Sequence, residues 1–547
     1  MDRRMLLKQL GMAVPAYLLA TKGNAMGLLN GSDGYMAKGR FKPTWNSLQG
    51  YQVPDWYKNA KFGIWAHWGP QCQPEYGDWY ARGMYEEGSD QYNYHVKKYG
   101  HPSKFGFKDV IHEWQAEAWN PEELVNFYKG VGAKYFFCMA NHHDNLDLWN
   151  SKHHYWNSVN LGPKKDIVGG WAKAAKKAGL PFGVSVHAAH AWTWYETAQH
   201  ADKKGPLQGV PYDGKLTKAD GKGLWWEGLD PQDLYAQNHP LSSTENNLNI
   251  HAQWHWGNGV AMPSKAYCEL FYKRTIELID KYEPELIYFD DTVLPFHPIN
   301  DIGLKIAAHH YNKSIQRNGR LDAVVFGKIL DEMQRRCLVW DIERGQSNVI
   351  EPFTWQTDTC LGNWHYDKRV YDRKGYKSAR TVVQTLVDVV SKNGNFLLNV
   401  PVKGNGSIDE QERAILEEVA AWMQVNSECI YDTTPWKVLG EGPAMENAAP
   451  LSAQGFNEGK GKRMGATDIR FTLKGNTLYA VIMGWPEDGI ARIKSLSAGN
   501  TLWPADINRI QLLGGPELTH KRSKEELAIQ LPDKKAAQPY AVVLKIV

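Results

Sequence analysis

From about residue 55 to about 435, short apolar or aromatic runs alternate with helix-like stretches, and this alternation constrains the fold more than any other feature of the chain. It is the pattern of strand–helix units that assemble a parallel sheet. Candidate strands fall at 61–66, 134–140, 181–186, 285–289, 321–326, 337–340 and 395–400. Helix-like segments lie between them, such as 121–129, where Asn120 is placed to cap and Pro121 occupies the first helical position.

Several of these strands run into polar residues that strand propensity does not explain. The first meets His67, the second Asn141, His142, His143 and Asp144, the third His187, another Asp290 and Asp291, and a later one Asp341 and Glu343. Titratable groups gathered at the C-terminal ends of parallel strands are the sequence form of a β/α-barrel active site. A doubly wound open sheet would place its ligand at the same end, but neither G-x-G-x-x-G nor G-x-x-x-x-G-K-[ST] occurs to cradle a phosphate. The expected fold is therefore α/β, with a (β/α)8-like barrel over 28–436. A long insertion at about 193–262 carries Trp194, Trp225, Trp226, Trp254 and Trp256 and is a candidate wall for the pocket mouth.

After Trp436 the texture changes to strand alternation: Ile469, Phe471 and Leu473 alternate, Gly475 and Asn476 form a turn, and 478–483 and 540–547 read as further strands. This predicts a C-terminal β-sandwich over 437–547. A chain of 547 residues is long enough for these two domains. A net charge of +3 gives no reason to expect nucleic-acid or membrane-surface binding. The 23 Trp and 27 Tyr are enriched in Gly- and His-rich stretches, where flat rings can serve as platforms for sugar faces.

At the N-terminus, Arg3 and Arg4 precede an apolar stretch from about Leu10 to Ala20 and small residues near Ala25, the layout of a twin-arginine export signal over 1–27. The stretch is too short for a permanent membrane anchor, so the expected location is the bacterial periplasm or outside the cell. Cys72, Cys138, Cys268, Cys337, Cys360 and Cys429 show no C-x-x-C pair or metal-like spacing, and no disulfide framework is expected.

Four segments resemble the α-L-fucosidase family, glycoside hydrolase family 29: 61–69 (KFGIWAHWG), 133–149 with His142-His143-Asp144, 286–290 (LIYFD), and 386–400 (LVDVVSKNGNFLLNV). The resemblance implies a β/α barrel with a downstream β-module, an exo-acting retaining glycosidase, no metal and no organic cofactor. It places the nucleophile at Asp290 and sugar-binding positions at His67, Trp79, His142 and His143. Two positions depart from the family pattern: Tyr288 where Trp is common, and Asp78, before Trp79, where Glu is common. The acid/base position varies most within the family. In the segment 340–358 Glu343 is the first choice and Glu351 the second.

Read as chemistry, retaining hydrolysis needs two carboxyl groups about 5–5.5 Å apart, one attacking the anomeric carbon and one protonating the leaving oxygen. Of Asp290 and Asp291, strand alternation points only one into the barrel mouth, and apolar Ile287 and Phe289 together with the family resemblance favour Asp290. Trp340 and Trp355 are candidate aromatic walls for Glu343, with Trp355 and Tyr288 also expected to touch substrate. His67, His142, His143 and His187 can exchange hydrogen bonds with sugar hydroxyls. Three other readings stay open: a metal-dependent hydrolase using the same histidines, a non-catalytic carbohydrate-binding protein, and an α-L-galactosidase. L-galactose differs from L-fucose only by a hydroxyl at C6, so the last would use the same carboxylates on an L-galactose-containing or sulfated algal polysaccharide.

Overall fold

The computed structural model describes residues 35–243, 249–452, 455–533 and 540–547, so the expected export signal lies outside the described residues. Eight parallel strands close into a barrel: β1 (Phe62–Ala66), β2 (Tyr135–Asn141), β3 (Phe182–Val186), β4 (Leu286–Phe289), β5 (Val324–Gly327), β6 (Val339–Glu343), β7 (Trp355–Cys360) and β8 (Gly394–Asn399). Closure comes from β8 pairing with β1, with Phe62 opposite Phe396. Each strand is buried along nearly its whole length, as expected when side chains fill the interior and helices cover the outside.

The covering helices include α1 (Pro121–Val131), α2 (Ile167–Ala178), α3 (Lys265–Tyr282), α4 (Ile302–Asn318), α5 (Ala379–Ser391) and α6 (Glu410–Asn426). The Asn120 side chain accepts the Glu123 amide at the start of α1, Pro121 opens the helix, and Gly132 ends it at φ +117°. Long excursions replace a simple β–α link after β1 and β3, and these supply much of the rim above the strand ends.

The barrel interior is not uniformly apolar. The Tyr57 and Tyr135 hydroxyls donate to Gln356 Oε1 at 2.9 and 3.2 Å, and Gln356 Nε2 donates to Asp341 Oδ1 at 2.8 Å. Gly63 is required opposite Tyr135, because a Cβ there would run into the tyrosine ring. Strand β7 was not among the strands expected from sequence. Its inward positions are Gln356 and Asp358, so its alternation is polar-inside and reads as a loop.

The chain then forms two antiparallel sheets. One has the order β13 (Ile510–Leu512), β16 (Val542–Ile546), β11 (Thr477–Ile482), β10 (Ile469–Lys474), β9 (Thr434–Glu441). The other has the order β12 (Ile490–Ile493), β15 (Leu527–Gln530), β14 (His520–Arg522). Phe471, Leu478, Ile493, Leu527 and Leu544 share one apolar core across both sheets, the arrangement expected of a sandwich.

This β-module is fastened to the barrel by polar contacts as well as packing. Asp388 on α5 accepts from Lys392 Nζ at 2.6 Å and from Arg470 Nε on β10, and all three side chains are at most 7% exposed. Gln384 Nε2 on α5 donates to the Met483 carbonyl at 2.6 Å, and Trp422 Nε1 on α6 to the Ala541 carbonyl at 3.1 Å. Breaking a buried pair strands the partner charges, at a cost of about 3–5 kcal/mol. Asp388→Asn is therefore expected to lower the urea midpoint by a corresponding amount with an unchanged slope. A midpoint equal to wild type would show that this triad does not hold the two parts together.

Candidate active site

The C-terminal ends of the barrel strands deliver one group after another to a single cavity. Beyond β1 stands His67, whose backbone N–H donates to Asn399 Oδ1 at the end of β8 (2.9 Å). Beyond β2 come His142 and His143, beyond β3 His187, beyond β4 Asp290 and beyond β5 Lys328. Strand β6 presents Asp341 and Glu343 on one face, β7 presents Asp358 beside Glu343, and the turn after β7 brings Trp364 and His365. The cavity they line holds about 260 Å³. That is just below the roughly 300 to 1,000 Å³ of most ligand sites, and it suits one monosaccharide better than a chain.

Asp290 is the most heavily contacted group. Its Oδ2 faces His143 Nε2 at 3.0 Å and His187 Nδ1 at 3.1 Å, and its Oδ1 accepts from Lys328 Nζ at 2.5 Å. Burial works to raise its pKa, but the Lys328 charge and the two histidine contacts hold it well below the usual carboxylate range. His187 Nε2 lies 3.0 Å from the Ser185 hydroxyl, so a neutral ring with the proton on Nδ1 satisfies both of its contacts. His143 has acceptors on both sides, the His187 carbonyl at 2.8 Å and Asp290, and meets both only by sharing a proton with the carboxyl group.

Lys328 joins Asp290 to Glu343, donating to Glu343 Oε2 at 2.5 Å as well. Those two carboxylate oxygens are consequently at most about 5 Å apart, well short of the roughly 6.5–9.5 Å that separates the carboxyl pair of an inverting glycosidase. Burial pulls the Lys328 pKa down, but Asp290, Glu343 and Asp358 outweigh it and keep the ammonium charged. Burial, reinforced by the charges of Asp341 and Glu343, pushes Asp358 well above the usual range. Asp341 is raised to about 7, chiefly by burial. The cluster is thus one cation among carboxyl groups that are not all ionised.

The remaining histidines face the cavity with spare capacity. Neither ring nitrogen of His67 or of His365 has a hydrogen-bond partner among the described residues, and both rings are buried. Burial, then the neighbouring His365 and His187, hold His67 well below its ordinary pKa, so it offers one donor and one acceptor. An unmet buried hydrogen-bonding group costs about 1–3 kcal/mol. A ligand bearing several hydroxyls removes that cost. His142 is held by Gln71 Nε2 at 2.7 Å and packs edge-on against His67 and His365.

The excursion after β3 closes one side. It is anchored by Asp213, which accepts from Lys108 Nζ, Tyr85 and Tyr235 at 2.8, 2.7 and 2.6 Å, and it carries His251, Trp254 and His255 to the cavity. Trp254 stacks on His190 at 4.7 Å. Trp194 instead packs behind His143, and Trp225 stacks on His112. Trp79, at φ +61°, and Asp78 also line the cavity; the Trp79 ring meets His251 and Trp194 of the excursion edge-on at 5.8 and 5.9 Å, and Asp78 Oδ1 accepts the His365 backbone N–H at 2.7 Å.

Of the residues expected from sequence, His67, Asp78, Trp79, His142, His187, Tyr288, Asp290 and Glu343 line the cavity, and His143 reaches it through Asp290. Trp355 does not. It begins β7, points outward under α5, and donates its indole N–H to the Lys392 carbonyl at 2.8 Å. Trp340 also points outward, beneath the Arg335 guanidinium at 3.5 Å, because alternation on β6 turns Asp341 and Glu343 inward and Trp340 away. Neither tryptophan walls Glu343; Lys328 is its neighbour. Glu351 lies outside the cavity, bound by Ser347 at 2.5 Å and Arg335 at 3.4 Å. Lys328, Asp358, Trp364, His365 and His251 were not singled out from sequence. Trp364-His365 had a usable signal, an aromatic–His pair like Trp65-Ala66-His67; a lone Lys after Gly327 had none.

A profile of α-L-fucosidases matches residues 30–428, and one of the α-L-fucosidase C-terminal domain matches 463–547. Tissue α-L-fucosidase of Rattus norvegicus is 25% identical over 473 residues, covering 84% of this chain and 83% of the relative. Plasma α-L-fucosidase of Homo sapiens is 26% identical, covering 82% and 80%. The structure of Thermotoga maritima α-fucosidase with a mechanism-based inhibitor superposes with a TM-score of 0.67 at 26% identity, over 93% of this chain and all of that one. The same enzyme is known in complex with fucose.

Burial takes His187 from 6.5 down to about 4. The unfolded chain binds its proton first, so the contribution of His187 to stability is complete above pH 6.5 and is lost as pH falls toward 4. Between pH 7 and 5 wild type is expected to lose about 1–2 kcal/mol more unfolding free energy than His187→Asn. Parallel losses in the two proteins would contradict neutral burial of this ring.

Proposed function

This chain belongs to the α-L-fucosidase family and is a glycoside hydrolase of that type, and we propose that it removes terminal α-L-fucose by a double displacement with retention of configuration. The observation that carries this reading is the pair of oxygens on Asp290 and Glu343 that meet one ammonium and lie within about 5 Å of each other. Asp290, kept ionised by Lys328, is the nucleophile that attacks the anomeric carbon. Glu343 gives its proton to the leaving oxygen as the bond breaks, then takes one from the water that releases the sugar from Asp290. A sugar entering between the carboxyl groups takes the place of the Lys328–Glu343 contact, leaving Lys328 on Asp290. His67, His142 and His365 receive the sugar hydroxyls, and Tyr288 and Trp79 bound the ring. The small cavity supports exo action on chain ends. The twin-arginine layout at Arg3 and Arg4 supports export, and the change of texture after Trp436 supports a boundary between a catalytic barrel and a β-module there.

The reading is tested with aryl α-L-fucoside and aryl α-L-galactoside. Asp290→Ala is expected to lower kcat on the fucoside at least about a thousandfold, with azide restoring turnover and yielding the inverted β-fucosyl azide. Glu343→Ala with azide is expected to yield the α-fucosyl azide. Full activity in either variant removes that residue from its role, and a wild-type preference for the galactoside would make the chain an α-L-galactosidase.

Lys328 gives a second test. Without its charge, the raising effect of burial on the Asp290 pKa is opposed only by the two histidine contacts, so the nucleophile ionises at higher pH. The acidic limb of kcat/KM in Lys328→Met is expected to move up by about one pH unit or more. A limb that stays in place would show that Lys328 does not set the ionisation of Asp290.

A further inference from the structure

The last side of the cavity comes from outside the barrel. After β9 the chain returns over the barrel mouth before entering β10, and Phe456 in this return lines the cavity together with Glu343 and Arg344. Phe456 is 41% exposed, although the backbone around it is tightly bound. The Phe456 N–H donates to the carbonyl of Glu343 itself at 2.9 Å, and the Glu458 N–H to that of Arg344 at 3.0 Å. Asn457 accepts the Gln346 N–H at 2.9 Å and donates to the Gln346 carbonyl at 3.1 Å. Glu458 accepts from Thr359 at 2.8 Å and pairs with Lys377 at 3.3 Å.

Two backbone features show that this placement is enforced. Gly455 sits at φ +89°, where an added Cβ would lie 2.5 Å from the Glu343 carbonyl oxygen, so only glycine lets the return come this close. Phe456 itself is at φ +58°, a left-handed conformation that costs an aromatic residue about 1–3 kcal/mol. An exposed ring held in a strained conformation against the backbone of one particular residue is held there by its surroundings, not by its own burial.

We propose that Phe456 is the platform of a leaving-group subsite, stacking the pyranose ring to which the terminal fucose is attached. The inference rests on the reading of Glu343 as the acid. That group must reach the glycosidic oxygen, so the sugar on the far side of that oxygen leaves past Glu343. Phe456, bonded through its backbone to Glu343, lines the cavity with it and is 41% exposed, and an aromatic face takes the C–H face of a pyranose. The cavity volume suits one sugar, so the second sits at the rim of the cavity, where Phe456 forms part of the wall. Selection of the leaving group thus lies in the segment that leads into the β-module, while selection of the fucose lies in the barrel.

The test compares α-L-fucosyl fluoride, whose leaving group reaches no platform and needs no acid, with whichever of the 1,2-, 1,3-, 1,4- and 1,6-linked α-L-fucosyl disaccharides wild type hydrolyses fastest. Phe456→Ala is expected to lose at least tenfold more kcat/KM on the disaccharide than on the fluoride, mostly through KM, and Phe456→Tyr to recover most of it. Equal losses on both substrates, or no loss on the disaccharide, would overturn the platform. A wild-type enzyme inactive on the fluoride would instead overturn the fucosidase reading, and the platform with it.

Discussion

One ammonium among four carboxyl groups sets what the mouth of this barrel can be. Asp290, Asp341, Glu343 and Asp358 gather at the ends of β4, β6 and β7 with side chains at most 18% exposed, and two like charges 4 Å apart repel by about 4 kcal/mol even at an effective dielectric of 20. The arrangement is tolerable because Lys328 bonds to Asp290 and Glu343 and because burial pushes the Asp358 pKa up, toward its neutral form. Below them, Asp341 is tied through Gln356 to Tyr57 and Tyr135, so a hydrogen-bonded column runs down the barrel interior. Burying these groups individually would be prohibitive; as a connected set they hold two reactive carboxyl groups at a fixed separation.

Around this centre the division of labour follows chain topology. Strand ends provide charged groups and histidines, whose positions are fixed by backbone pairing in the closed sheet. The excursions after β1 and β3, the turn after β7 and the return after β9 provide the aromatic rim, with buried Asp213 anchoring the β3 excursion and Asn457 with Glu458 anchoring the return. Such construction lets the rim differ between relatives without disturbing the carboxyl cluster.

The fold was largely legible in the sequence because most barrel strands are apolar on both faces and end in titratable residues. Strand β7 escaped because Gln356 and Asp358 face inward, where an apolar residue is the norm, and their partners are residues far away in sequence. The same long-range pairing hid Lys328, whose meaning comes only from Asp290 and Glu343. Trp355 misled for the opposite reason. An aromatic residue beside acidic ones suggests a sugar platform, but its register on β7 turns it outward under α5. Asp388 and Lys392, inside the most family-like segment, proved to join the barrel to the β-module through Arg470 and not to line the cavity.

The pairing of β8 with β1 has a consequence for how the chain reaches this state. Phe62 and Phe396 meet across more than 300 intervening positions, so the entropy of closing that loop must be met before their contacts form. Until then β1 and β8 are open edges, apolar on both faces and able to pair with any other chain that presents a strand. Folding is therefore slowest, and self-association most competitive, just before closure. Once β8 has docked, no edge remains in the barrel sheet, and the step that made assembly hazardous leaves a barrel with no free strand to open from.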